Sequence, residues 1–177
     1  MIMIAGVHGV GKSHFCKEII DLFHIKTYTA SELIAEGKQI LFKSDKLIHN
    51  ESITDNQQHL ILAINSLKAE SKRFILDGHF CLLNSSGNVE RIPIDTFIAL
   101  NPDGIIVLTE NPKIVAERRK TRDGVNVSID SIEEFQNEEV MYATKVAKTL
   151  GVKYFISRGK EDYLKAINFI KNMEEVF

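Results

Sequence analysis

A strand, a glycine-rich turn and a helix follow one another directly at the amino-terminal end of this chain. Met1–Ala5 is a short apolar run, Gly6-Val7-His8-Gly9-Val10-Gly11-Lys12-Ser13 follows it, and an amphipathic stretch that includes His14 runs from there to Phe23. The spacing G-x-x-x-x-G-K-S in that context is the pattern of a phosphate-binding loop. Gly6, Gly9 and Gly11 let the backbone curl, so that successive N–H groups from Gly6 to His14 can point inward at phosphate oxygens. The positive end of the following helix adds to the attraction. Lys12 is the point charge for the β- and γ-phosphates of a nucleotide, and the Ser13 hydroxyl is a candidate Mg²⁺ ligand. The alternative is a glycine-rich turn that holds nothing, and the motif and its context together oppose it.

The rest of the chain alternates in the same way. Arg73–Asp77, Gly104–Thr109 and Val152–Ser157 are continuous apolar runs, the signature of parallel strands buried on both faces, and Ile25–Thr29 is a weaker fifth. Ile53, Leu60, Ile64 and Leu67 recur at helical spacing, as do Ile132, Phe135, Tyr142, Val146 and Leu150 before Gly151. Pro112 suits the first turn of another helix, and Asp162–Met173 reads as the last. Such alternation predicts an α/β fold of three layers, a central parallel sheet of about five strands with helices on both faces. One domain over 1–177 is expected. Two excursions, about 30–52 and about 122–130, break the alternation, and Asn84–Pro93 carries the turn signals of a small hairpin.

Two further groups stand out. Asp77 ends an apolar strand and is followed by Gly78 and His79. A carboxylate there can hold Mg²⁺ directly or through water, although Asp-Gly is also a common turn dipeptide. His79 reads equally as a structural histidine or a substrate contact. Arg118 and Arg122 are four apart and share one helix face, placed to neutralise charge on a transferring phosphoryl group. The same arginines also read as a solvated helix end that complements the helix dipole.

Composition narrows the classes. Lysine and arginine total 22 against 24 acidic residues, a net charge of −2, so no global field draws the chain to nucleic acid or an anionic membrane. Cys16 and Cys81 are too few for a disulfide framework or a self-sufficient zinc site. The stretch MIMIAGVHG has no basic region and too short an apolar run for a signal peptide or membrane span. A cytoplasmic chain is expected. The sequence holds no N-K-x-D signature of guanine recognition.

These residues resemble small nucleoside-monophosphate kinases, most closely archaeal-type adenylate kinases and related adenylate-kinase-like phosphate-loop proteins. The resemblance is carried by GVHGVGKS, LDGH, Ile92-Pro93 ahead of Asn101-Pro102-Asp103, IIVLT, Arg118-x-x-x-Arg122, the long helix starting near Ser131, and VKYFIS. It implies ATP and Mg²⁺ as cofactors, with Gly6–Ser13 binding ATP, 30–52 holding the acceptor, and 122–130 forming a short lid. Lys12, Asp77, Arg118 and Arg122 would be the catalytic set, with Ser13 and Asp77 on the metal. His8 stands where many relatives have proline. The acceptor segment Thr29–Lys46 has lysines, among them Lys38, Lys43 and Lys46, but no arginine. AMP is the default acceptor. A hydroxyl acceptor (a nucleoside, small metabolite or nucleic-acid end) is the enzyme alternative, with Asp77 or His79 as base. A nucleotide-binding module acting on a protein partner is the alternative from another class. The expected partner is otherwise a nucleotide or other small molecule, with no membrane, and nucleic acid stays open only through a local basic patch or as the end-acceptor alternative. Archaeal-type relatives can oligomerise, so a homo-oligomer is among the expected states.

Overall fold

The computed structural model describes residues 1–42, 53–70, 73–84 and 86–174. Ten residues of the expected acceptor excursion, 43–52, with Lys43 and Lys46, lie outside them. The elements begin with strand β1 (Ile2–Ala5), helix α1 (Lys12–Phe23), strand β2 (Lys26–Thr29), and helices α2 (Ala30–Phe42) and α3 (Ile53–Ala69). Strand β3 (Phe74–Gly78) is followed by a hairpin of β4 (Cys81–Leu83) and β5 (Val89–Arg91), and then by helix α4 (Ile94–Leu100). Strand β6 (Gly104–Thr109), helices α5 (Pro112–Asp123) and α6 (Ile129–Leu150), strand β7 (Lys153–Arg158), a 3-10 turn (Gly159–Asp162) and helix α7 (Tyr163–Glu174) complete them.

Five strands form one parallel sheet in the order β2-β3-β1-β6-β7. The apolar runs place Ile4, Ile75, Leu76, Ile105 and Ile106 out of solvent, as a parallel sheet covered on both faces requires. All five predicted strands are present, including the weak one. The helices flank this sheet, with α1 beside β2 and β3, α6 beside β6 and β7, and α7 beside β7. Because β1 lies between β3 and β6, the chain leaves β1 toward one side and returns on the other. A crevice opens at the carboxyl ends of strands at such a reversal.

Local chemistry sets the element ends. Asn111 caps α5, its Oδ1 accepting the Lys113 N–H at 2.9 Å ahead of Pro112. Ser128 does the same for α6 toward Ser131 N–H at 3.1 Å, and Gly151 closes that helix in the left-handed conformation. The expected hairpin is present. It is pinned to α6: Tyr142 Oη donates to the Ile92 carbonyl at 2.7 Å, and Arg91 reaches Glu138 at 3.0 Å while lying 5.1 Å above the Tyr142 ring. Helix α4 has no counterpart among the predicted elements. It follows Pro93 and stacks Phe97 on Phe80 at 4.6 Å.

Candidate active site

Gly6 turns the chain out of β1 with φ +144°, and a Cβ there would stand 2.5 Å from the Leu108 carbonyl of β6. Only glycine meets both demands. Gly11 precedes α1 with φ +114° and brings no side-chain cap, and the first turn of α1 holds no acid. Its amino-terminal N–H groups are thus left for a ligand. Buried Val7 and Val10 root the loop in the core, while His8, Ser13 and His14 face the opening. His14 Nε2 lies 3.6 Å from Glu18 on the next turn.

Lys12 folds back across the loop. Its Nζ donates to the Gly6 carbonyl at 2.6 Å, stands 3.4 Å from His79 Nε2, and lies 3.9 Å from Asp77 Oδ1. Asp77 reaches that place because β3 pairs with β1 in a register that sets it beside Ile4. The Lys12 and Asp77 side chains are only 9% and 11% exposed. Burial therefore lowers the lysine's hold on its proton and raises the carboxyl's, and their mutual attraction opposes both shifts. His8 lies beside His79 with ring centroids 4.7 Å apart and the ring planes tilted by 47°. Loss of solvation, then the positive charge of His79, Lys12, Arg119 and Arg122, pushes His8 down to about 4.

The two predicted arginines differ in what they touch. Arg118 Nη1 donates to the Val10 carbonyl at 2.9 Å and the Gly9 carbonyl at 3.4 Å, and Nη2 reaches Glu110 Oε2 at 3.3 Å. Arg122, one turn further and 62% exposed, is engaged by its neighbour Asp123. Both line the same cavity as Lys12, Asp77 and His79. Arg119 packs on the loop from outside, where a Cβ on Gly9 would meet its Cγ at 2.8 Å. The segment about 122–130, expected as a lid, comprises the end of α5, the loop 124–128 and the first residues of α6.

That cavity has a volume of about 1420 Å³. It is lined by the loop, by Arg118, Thr121 and Arg122 of α5 and by Lys160 and Tyr163 after β7, together with Ala30, Ser31 and Ile34 of α2, Gln57 and Leu60 of α3, and Leu82, Ile92 and Phe97. Lys12, Asp77 and His79 belong to the same lining.

Two residues near the site were not singled out in the sequence. Glu139 is 1% exposed, accepts the Phe80 and Cys81 N–H groups at 2.9 and 2.7 Å, and lies 3.7 Å from His79 Nδ1. Gln136, three residues before it on α6, bonds the backbone of Glu110. Their i, i+3 spacing beside Phe135 is the available clue, yet the surrounding run of acids reads as a solvated face. Cys16 and Cys81 are buried free thiols, pushed by burial up to about 12. Among the described residues no cluster of three metal-ligating side chains occurs, and no helix is long and apolar enough to cross a membrane.

Residues 5–136 match the family described as AAA domain. A curated protein of Methanocaldococcus jannaschii named "Putative adenylate kinase" is 31% identical over 121 residues, which cover 68% of this chain and 58% of that protein. The chain thus spans little more than half the length of that relative. Among solved structures, a "putative kinase" from Chloroflexus aurantiacus is similar with a TM-score of 0.58 at 10% identity, covering 97% of this chain and 96% of that one. A sugar kinase from Janibacter is similar with a TM-score of 0.54 at 10% identity, covering 98% and 93%. At those identities the likeness speaks for the fold alone. The family match is independent of it and takes in the loop, Asp77 and both arginines, so that the chain belongs to the AAA domain family with its phosphate-binding loop formed.

Proposed function

We propose that the chain transfers a phosphoryl group from ATP to a small-molecule acceptor, with a nucleoside monophosphate, AMP first, as that acceptor. The observation that carries this reading is that one cavity is lined both by the phosphate-binding loop and by a largely apolar wall from α2, α3, the hairpin and α4, with Lys12 and Asp77 3.9 Å apart in the same lining. At about 1420 Å³ it exceeds the roughly 300–1,000 Å³ of a pocket for one small ligand. The name of the Methanocaldococcus protein points the same way.

In this reading the loop N–H groups and Lys12 hold the β- and γ-phosphates, and Arg118 and Arg122 meet charge spreading over the transferring group. The acceptor oxygen bonds to the γ-phosphorus as the bond to the ADP oxygen breaks. A phosphate acceptor is already anionic, so no strong base is needed. The Ser13 hydroxyl and Asp77 carboxylate are hard oxygen donors, the pair suited to Mg²⁺ that arrives with phosphates and keeps several waters. Bound there, the ion would supply charge neutralisation at the phosphates.

One observation favours a second reading. Among the described residues, the lining contributed by α2, α3, the hairpin and α4 includes no lysine or arginine to clamp an acceptor phosphate. A hydroxyl acceptor would need a group to take its proton, and the candidates are His79 and the Asp77 carboxyl, raised by burial, which both line the cavity. A coupled ATP-consumption assay against nucleoside mono- and diphosphates, nucleosides, sugars and oligonucleotide ends tests both. Stimulation by a monophosphate supports the first reading and stimulation by a hydroxyl compound the second. No stimulation by any acceptor rejects both.

A further inference from the structure

One buried amide on α6 extends the sheet by a rung at the mouth of the site. Glu110 is the first residue beyond β6, whose ladder to β7 ends with Thr109 opposite Arg158. Gln136, buried on α6, closes a two-way clamp on it: the Glu110 N–H donates to Gln136 Oε1 at 2.9 Å, and Gln136 Nε2 donates back to the Glu110 carbonyl at 2.9 Å. The Glu110 side chain is fixed in turn. Its Oε1 accepts the Asn111 N–H at 2.9 Å, and its Oε2 accepts from Arg118 Nη2 at 3.3 Å. Gly159 leaves room for it, since a Cβ there would stand 3.0 Å from Glu110 Oε1.

We propose that Gln136 and Glu110 are positioning residues for Arg118, fixing its guanidinium against the phosphate-binding loop before nucleotide enters. This rests on the nucleotide-binding reading above. An arginine surrenders several rotatable bonds when it engages a ligand, and that entropy is ordinarily lost at binding. Here the guanidinium is held from one side by a carboxylate and from the other by the Val10 carbonyl at 2.9 Å. The loss falls on folding instead, and binding proceeds with the fork already aimed. Glu110 can do this only while its own backbone is still, which is what the clamp from Gln136 secures.

Calorimetric affinity for a non-hydrolysable ATP analogue with Mg²⁺, measured through a double-mutant cycle, tests the proposal without turnover. Glu110→Gln and Gln136→Ala should each weaken the analogue by about three- to tenfold, and neither should add more than about twofold in an Arg118→Ala background. Glu110→Ala should lose more than Glu110→Gln, which keeps one oxygen for the guanidinium. Penalties of equal size in both backgrounds would mean a role in the fold alone and would overturn it, as would unchanged affinity in Glu110→Gln. If Gln136→Ala does not fold, the Glu110 variants carry the test. A failed acceptor panel leaves the cycle readable and rejects only the transfer reading. Failure of the wild type to bind the analogue would overturn both.

Discussion

Arg122 and Asp123, adjacent at the end of α5, form a two-point ion pair: Nε donates to Oδ1 at 2.6 Å and Nη2 to Oδ2 at 2.9 Å. The bond raises the guanidinium's hold on its proton and holds the Asp123 carboxyl below the ordinary range. With Arg122 62% exposed, water competes for both partners and the pair is easily released. Arg122 thus lines the cavity on a pair that water can release, and under the proposed transfer it would turn toward the phosphoryl group.

Removing it should affect the chemical step more than binding. Arg122→Ala is expected to lower kcat by roughly two to three decades while ATP affinity changes by less than about tenfold. Arg122→Lys should restore little, because a point charge does not reproduce the planar fork. Steady-state kinetics and calorimetry of both variants check this, and an unchanged kcat would leave Arg122 as a solvated helix end.

Lys12 differs in being enclosed. Its ammonium bonds the Gly6 carbonyl at 2.6 Å and faces Asp77. Lys12→Met keeps much of the volume and should leave the fold intact, while nucleotide binding falls by about one to two decades through loss of charge-assisted contacts. Asp77, deprived of its nearest cation, should hold its proton more tightly still. Analogue binding and a carboxyl titration of the folded variant measure the two effects separately.

The strands and the loop were legible because each carries its own mark. A parallel strand covered on both faces is a continuous apolar run, and Phe74–Asp77 or Ile105–Leu108 can be little else. The G-x-x-x-x-G-K-S spacing brings its geometry with it. Helix α4 was not legible: seven residues between a proline and Asn101 are too few to show a period. Gln136 and Glu139 were hidden for another reason. They lie in Glu133-Glu134-Phe135-Gln136-Asn137-Glu138-Glu139, whose outward face is charged, and only the strand tips packed under α6 reveal which members turn inward.

Glu139 should therefore act on stability. Its carboxylate accepts two consecutive buried N–H groups at the turn after β3. Glu139→Ala would leave both unpartnered at a cost of about 2–4 kcal/mol, visible as a lower denaturation midpoint. Glu139→Gln keeps an acceptor for one of them and should lose less. Equal stability for wild type and Glu139→Ala would mean that water replaces the carboxylate.

Gly37 lies inside α2, where its sequence position suggests only a weak point in a helix. In the fold it is the crossing point with α3: a Cβ there would stand 2.1 Å from the His59 carbonyl oxygen. Gly37→Ala gains helix propensity yet must push the two helices apart. The overpacking should win, with a net loss of about 1–3 kcal/mol. A thermal melt decides the sign, and a stabilised variant would show that the crossing relaxes freely.

His8 supplies a dependence on pH. Its folded value of about 4 lies below the ordinary 6.5, through loss of solvation and then the positive charge of His79, Lys12, Arg119 and Arg122. Above pH 6.5 the ring is neutral in both the folded and unfolded chain and contributes nothing. As pH falls from 6.5 toward 4 the unfolded chain takes up a proton that the folded chain refuses, so folding stability declines through that window. Below about 4 both states are protonated and the loss no longer grows. A polyanion in the loop would offset the neighbouring positive charge and raise the folded value, so ATP binding should take up protons between pH 4 and 6.5. Calorimetry in buffers of different ionisation heat measures that uptake. His8→Ala should reduce it and flatten the decline in stability over the same window. Uptake of equal size in wild type and His8→Ala would assign the proton to another group and remove His8 from the linkage.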